Sequence, residues 1–227
     1  MSNLGYLALM LDAPLMSWGV SSRFQRRTTE LHPSRSALCG MFCAAMGLDK
    51  GSGAESAALA RLEKVTFTFY TIARSSPDRD KVLAIQRMED FHTVSGTRSA
   101  DNPRPKKDAV LTHRQYLLDA RFAVMLCGDA EWLHQIAAAL RDPVWGVWFG
   151  RKSCIPALPL VPREVRRSKE EALADVGLAP DSAATLRAVH DSGSFSEGTD
   201  TVMDVPVNFK TRSFKPRRIE RRPAASG

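Results

Sequence analysis

Residues 122–143 read Phe-Ala-Val-Met-Leu-Cys-Gly-Asp-Ala-Glu-Trp-Leu-His-Gln-Ile-Ala-Ala-Ala-Leu-Arg-Asp-Pro. The first six, Phe122 to Cys127, are an apolar run of strand length. Asp129 stands where a carboxylate accepts from the unsatisfied N–H groups at the start of a helix. Trp132, Leu133, Ile136, Ala137 and Leu140 then recur at helical spacing on one face, and Pro143 stops the helix.

The same order occurs earlier in the chain. Tyr6 to Leu11 (Tyr-Leu-Ala-Leu-Met-Leu) is apolar at every position, as expected of a strand buried on both faces, and it ends at the turn signal Asp12-Ala-Pro14. A polar segment containing Gly19, Ser21 and Ser22 leads to Pro33-Ser34. Ser34 is placed to cap a helix in which Ala37, Leu38, Met41, Phe42 and Ala45 share a face, and Gly47 closes it. Glu55 to Leu62 has the pattern of a second short helix. From Val65 to Ala73, Val65, Phe67 and Phe69 alternate with threonines, the pattern of a half-buried strand.

Between that strand and Phe122 lies Arg79 to Arg114, a polar stretch with a turn-rich centre, Ser99 to Pro105. It is too long for a structureless loop in a compact domain, so a protruding β-hairpin arm is expected, with Arg104, Lys106 and Lys107 at a basic tip. Strand, helix, strand, arm, strand, helix is the series of an α+β, RNA-recognition-like ferredoxin sheet. Ser168 to His190 carries helix formers with weaker patterning. Val202 to Phe209 is a last strand that Pro206 confines to an edge. Residues 1–160 are thus expected to form a ferredoxin-like core with an arm at about 79–114. Residues 161–227 are expected to form a smaller β-rich C-terminal extension that packs on the core and ends in a basic tail.

Hydrophobic residues make up 44% of the 227 and charged residues 25%, values of globular chains that exclude wholesale disorder. The net charge of +7 favours a polyanionic partner. Its distribution says more than its total. Four basic blocks (Arg23 to Arg35, Arg98 to Arg114, Arg151-Lys152, and Lys210 to Arg222) hold the excess, and the remainder is slightly acidic. Basic stripes in loop-like sequence fit either solvated loops or a phosphate-binding groove. The first eleven residues lack a basic n-region and are cut by Asp12, so no secretory signal is expected. The longest uncharged stretch, Ser36 to Leu48, is far short of the roughly 20 residues of a bilayer span. A soluble, cytoplasmic protein with no membrane association is expected.

Familiar catalytic patterns are mostly missing. Gly150-Arg-Lys-Ser153 echoes the end of a nucleotide-binding loop, but the glycine needed five positions earlier is absent and Gly146 is one residue too close. Cys39 and Cys43, four apart on a helix, and the isolated Cys127 and Cys154 read as core thiols. His32, His92, His113, His134 and His190 have no metal-ligand spacing, and Asp78 with Asp80 lies in a turn. No metal and no cofactor is expected. RNA cleavage without metal needs only a base, an acid and a cation. His92, Tyr116 and Lys152 have that chemistry, so a metal-independent endoribonuclease acting on repeat RNA is the enzymatic alternative.

Four segments together carry a resemblance. They are Leu9-Met-Leu-Asp-Ala-Pro-Leu-Met-Ser-Trp-Gly19 leading through Arg23-Phe24 to Pro33-Ser-Arg-Ser-Ala-Leu-Cys-Gly40; Asp90-Phe-His-Thr-Val-Ser-Gly96; Arg114-Gln-Tyr-Leu-Leu-Asp-Ala-Arg-Phe-Ala-Val124; and Phe149-Gly-Arg-Lys-Ser-Cys-Ile-Pro156 with Pro159-Leu160. In this order they resemble the type I-E branch (CasD) of the CRISPR-associated protein five family, over about Tyr6 to Leu160. The resemblance implies a non-catalytic subunit of the Cascade surveillance complex in antiviral defence, built on an RNA-recognition-like core with a thumb. Such a subunit grips the 5′ handle of crRNA, caps the backbone subunit filament next to the large subunit, and meets target DNA through the guide duplex. A related branch, type I-C, cuts the precursor RNA itself.

On that footing the expected RNA-binding residues are Ser17, Trp18, Arg23, Arg26, Arg27, Ser34, Arg35, Ser36, His92, Arg151, Lys152 and Ser153, with Arg104, Lys106 and Lys107 at the thumb tip. Cations follow the phosphates, planar groups take splayed bases, and a helix N-terminus after Ser34 offers free N–H groups. Trp18 fits either a stacking plane or a core indole, and Ser34 either an anion contact or a plain cap.

Overall fold

The computed structural model describes residues 3–20, 25–76, 79–98, 108–160, 162, 164–194 and 196–225. The chain opens with β1 (Leu4–Asp12), two short strands β2 (Leu15–Met16) and β3 (Arg26–Arg27), and two helices, α1 (Arg35–Ala45) and α2 (Gly53–Glu63). Strands β4 (Thr66–Ile72), β5 (Arg74–Ser76), β6 (Arg79–Leu83), β7 (Gln86–Val94), β8 (Val110–Leu118) and β9 (Arg121–Asp129) follow, then α3 (Ala130–Arg141). The last third holds α4 (Lys169–Asp175), α5 (Pro180–Thr185), β10 (Ala188–Asp191), β11 (Asp200–Asn208) and β12 (Ser213–Arg222). No helix among the described residues is long and apolar enough to cross a membrane.

Six strands form an antiparallel sheet in the order β1-β9-β4-β10-β12-β11. Its centre is covered on both faces, which is why β1 is apolar at consecutive positions. Leu7, Leu9, Leu11, Phe67, Phe69, Phe122, Val124 and Leu126 point to one side, into a core completed by the apolar faces of α1, α2 and α3. Ala8, Tyr70, Ala123 and Met125 point to the other, against Ala172, Leu173, Leu178 and Ala183 from α4, α5 and their connection. Ser34 and Asp129 cap α1 and α3 by accepting from Ala37 N and Trp132 N, as their positions predict. Gly47, at φ +69°, follows the end of α1 in the left-handed region that glycine tolerates.

Two elements differ from expectation. The stretch expected as a single arm, 79–114, opens with β6, which pairs back with β5 ahead of it, and only then enters the β7–β8 hairpin, whose second strand continues to Leu118. There it anchors a second sheet by pairing with β2 (Leu15 opposite Leu118) and, in parallel, with β3 (Arg26 opposite His113). The expected tip residues Arg104, Lys106 and Lys107 lie outside the described residues. The second difference is the supposed basic tail. Residues 213–222 form β12, a strand between β10 and β11, and β11 with Pro206 takes the sheet edge. The C-terminal segment thus extends the main sheet by three strands.

Candidate nucleic-acid interface

Residues directly opposite one another on paired strands share a face, and successive residues alternate between faces. On the second sheet this sorts the side chains into two rows. One row carries Arg27, opposite Arg114, then Asp90 opposite Arg114, and His92 opposite Thr112. Arg114 Nε donates to Thr112 Oγ1 at 3.1 Å, which holds its guanidinium along the row. The Nδ1 of His92 has no hydrogen-bond partner among the described residues. The other row carries Arg26, His113, Glu89, Gln115 and Phe91, the last 59% exposed. Hydrogen bonds from Gln115 (3.2 Å) and His113 (3.0 Å) hold the Glu89 carboxyl below the usual carboxylate range. Arg26 and Arg27, adjacent in sequence, therefore serve different faces.

Arg151 locks the cationic row to the rest of the molecule. Its guanidinium donates to the carbonyls of Gln115 (2.8 Å) and Arg27 (2.9 Å) and lies 4.6 Å from the centre of the Tyr116 ring. The loop that delivers it is pinned at Gly150, where φ is +96°. A Cβ there would lie 1.7 Å from the Ser17 carbonyl oxygen, so only glycine allows the approach. Ser17 N–H donates to Phe149 O (3.0 Å), and Phe149 N–H and Cys154 N–H close the loop on Cys154 O and Arg151 O. Lys152 and Ser153 are left exposed at its tip, with Lys152 Nζ 5.7 Å from the Trp148 ring. Arg27, Arg114 and Arg151, from three separate stretches of sequence, thus come together, and Lys152 stands beside them on the Trp148 side of the loop.

Other expected contact residues serve the fold. Trp18 is 1% exposed and packs on Phe149 at 5.9 Å between ring centres, so it is a core indole and not a stacking plane. Ser17 is buried and its Oγ donates to Gln115 O (3.2 Å). Ser34 is buried as the cap of α1. Arg35, 5% exposed, is not a groove cation. Its Nη2 donates to the carbonyls of Leu62 (2.8 Å), Glu63 (3.0 Å) and Val65 (2.9 Å), and its Nη1 pairs with Asp191 at 2.6 Å. Asp191 also binds Arg217, whose guanidinium forks onto Asp204 at 2.6 and 3.0 Å, while Asp204 accepts from Arg35 N–H at 2.8 Å. This two-arginine, two-aspartate network ties the start of α1 to β10, β11 and β12. Burying such charges is tolerable only because each is paired and hydrogen-bonded. Arg23 lies outside the described residues.

Ser36 escapes this network and lines a groove of about 520 Å³ beside Arg151 and Lys152. The groove runs along the small residues Ala37, Gly40 and Ala44 of α1. Trp145, 41% exposed, and Trp148 stand on one side because Val144 N–H and Trp145 N–H donate to Ala45 O (2.9 Å) and Ala44 O (3.2 Å) at the end of α1. Phe209 stands over Gly40, where a Cβ would lie 3.4 Å from its ring. None of these aromatics was expected at the site. Two tryptophans in a glycine-flanked loop, Val144-Trp-Gly-Val-Trp-Phe-Gly150, are the signal that could have found two of them; Phe209 has no local signal. Cys43 lines the same groove, yet burial pushes its thiol up to about 12, and the thiol of Cys39 likewise. Neither is a nucleophile at neutral pH.

Known proteins match this architecture closely. A family model described as CRISPR-associated protein (Cas_Cas5) matches residues 6–222. The CRISPR system Cascade subunit CasD of Escherichia coli (strain K12) is 29% identical over 163 residues, which is 68% of this chain and 69% of that protein. A chain solved in a CRISPR RNA-guided surveillance complex superposes with a TM-score of 0.71 at 29% identity, covering 96% of this chain and 90% of that one. A crystal structure of a Cas protein superposes with a TM-score of 0.59 at 22% identity, over 97% and 98% of the two chains, a likeness of fold. With the family match running from within β1 to the last residue of β12, the chain belongs to the CRISPR-associated Cas5 family.

Proposed function

We propose that this chain is a CasD-type subunit of a type I-E Cascade complex, holding the 5′ handle of crRNA without cutting it and capping the backbone subunit filament beside the large subunit. The observation that carries this reading is the convergence of Arg27, Arg114 and Arg151 on one side of the second sheet, with Lys152 following Arg151 toward the groove along α1. Separate cations gathered along one strand track can follow successive phosphates of a single strand, whose binding is dominated by that charge. The relatives named for Cascade and for an RNA-guided surveillance complex support the assembly. In this reading β1-β9-β4, with α1 and α3 on one face, is the RNA-recognition-like ferredoxin half, the β7–β8 hairpin is the thumb, and 161–227 is the extension packed on it. The thumb brings the guide duplex, and through it target DNA, against the hairpin.

The same geometry supports a binder over a nuclease. His92 lies opposite Thr112, four residues along β8 from Tyr116, a separation of about 13 Å at the usual strand rise. Tyr116 is buried beneath Arg151, so base and acid candidates do not meet at one phosphate.

The test is a gel with labelled CRISPR repeat RNA and purified protein in EDTA. The RNA is expected to shift without shortening, with preference over a scrambled handle. Four phosphate contacts predict that log K falls with log salt at a slope of roughly −3. Shortened RNA would establish an endoribonuclease instead, and equal binding of scrambled RNA would reduce the protein to a generic single-strand binder.

A further inference from the structure

The groove along α1 is continuous with the phosphate track, because Arg151 belongs to both. Its walls are aromatic: Trp145 and Trp148 on the loop side, Phe209 on the other. Its floor is made of Ala37, Gly40 and Ala44, side chains too small to fill it. Its rim is cationic, with Lys50, Arg151 and Lys152. Among the described residues the one carboxylate in the lining, Glu55, is 1% exposed and already accepts from Gly51 N–H at 2.8 Å. A volume of about 520 Å³ lies within the roughly 300–1,000 Å³ of small-ligand sites. Aromatic planes beneath a ring of cations favour a ligand that is flat and apolar in its body and anionic at its edge. A nucleotide has that character; an apolar side chain from a protein partner would leave the cations unmatched.

We propose that this groove is a base pocket, in which one unstacked nucleobase of the bound RNA lies against the aromatic wall of Trp148 and Phe209 while its flanking phosphates rest on Arg151 and Lys152. The proposal rests on the RNA-binding reading above and assigns Trp145, Trp148, Phe209 and Lys50 to it. The aromatic groups are held ready for this. Trp148 packs on Gly146, where a Cβ would come within 2.8 Å of the indole, and Phe209 is set against Gly40 on one side and Phe214 on the other at 6.4 Å between centres. Rigid planes lose little freedom when a base stacks on them. The aromatic planes themselves accept any base, with a preference for those that stack well.

The experiment compares full-length wild type with Trp148→Leu, Phe209→Leu and Arg27→Ala, using fluorescent 10-mer oligoadenylate RNA and an abasic 10-mer of the same backbone. The oligoadenylate is expected to bind wild type more tightly than the abasic strand. Trp148→Leu and Phe209→Leu each weaken the oligoadenylate by roughly 5- to 100-fold, the range of one base–aromatic stack, and leave the abasic strand unchanged. Trp148→Phe, which keeps a plane, retains most of the wild-type affinity and guards against a folding artefact. Arg27→Ala weakens both strands alike. If the leucine variants bind both strands as wild type does, the pocket is overturned while the phosphate track stands. If they lose co-purification with other Cascade subunits and keep RNA affinity, the groove is a protein-docking site and the proposal fails. If wild type binds neither strand, the track and the pocket fall together.

Discussion

Arg35 and Asp204 are 169 positions apart in the chain, yet Arg35 N–H donates to the Asp204 carboxylate at 2.8 Å. Nothing near Arg35 in sequence announces that partner, so its guanidinium reads as one more cation in a basic block. In the fold it satisfies three carbonyls at the end of α2 and the turn beyond, and its charge is met by Asp191. Asp204→Asn leaves the buried Arg217 with half its compensation and is expected to destabilise the protein by about 3–5 kcal/mol, read as a lowered urea midpoint. Arg35→Met is expected to act the same way. If it left stability unchanged and only weakened RNA binding, Arg35 would be a phosphate ligand after all. Arg27→Ala has the opposite profile, with stability unaltered and RNA affinity reduced, because the Arg27 side chain is exposed and Arg151 uses its carbonyl.

The 149–154 loop shows how a short element depends on a single backbone position. Phe149-Gly-Arg-Lys-Ser-Cys154 stands out in the sequence as a motif that lacks the spacing of a nucleotide loop, and its backbone conformation has no local signal. Its conformation is set by Gly150 resting against the Ser17 carbonyl. Gly150→Ala cannot keep both the positive φ and that approach. It is expected to lower the thermal midpoint by several degrees, corresponding to more than about 1 kcal/mol. It should also cut RNA affinity by displacing Arg151 and Lys152 together. A normal melting curve with normal RNA binding would show that the loop does not organise the site. The strands and helices around this loop were far more legible. β1, α1, β4, β9 and α3 have local periodicity and caps at the expected residues, because burial on a known face leaves its imprint every two or every 3.6 positions.

Histidines report on the molecule as a unit, since their surroundings come from several elements. Burial holds His32 below its ordinary range; Arg221 and Arg217 add to this, and contacts with Pro33 O and Glu30 oppose it. Burial does the same to His190, helped by Arg222 and Lys169 against Glu220 and Asp191. The unfolded chain takes up protons on both residues near pH 6.5, and the folded chain only at lower pH. Their contribution to stability is therefore fully present above that value and is lost as pH falls toward the lowered native values. The thermal midpoint of the full chain is expected to fall between pH 7 and pH 5. His32→Phe, placed against the Phe69 ring 6.1 Å away, should flatten that fall. An unchanged slope in this variant would mean that His32 takes up its proton alike in the folded and unfolded states.

From the chain alone came the layered α+β plan, the capped helices, the hairpin excursion, the edge position of the Pro206 strand and the basic blocks. Each depends on neighbours within a few residues, where periodicity, caps and breakers act. The fold alone determined which basic residues are free. Ser-Phe-Lys-Pro-Arg-Arg-Ile-Glu-Arg-Arg, residues 213–222, reads as a basic tail, and becomes an interior strand because Asp204 and Asp191, 13 and 26 positions earlier, neutralise Arg217. Arg27, Arg114 and Arg151 come side by side only where β3, β8 and the Gly150 loop meet. Charge is written in the sequence residue by residue, but whether a charge is spent inside the protein or offered to a phosphate depends on partners that only long-range packing brings within reach.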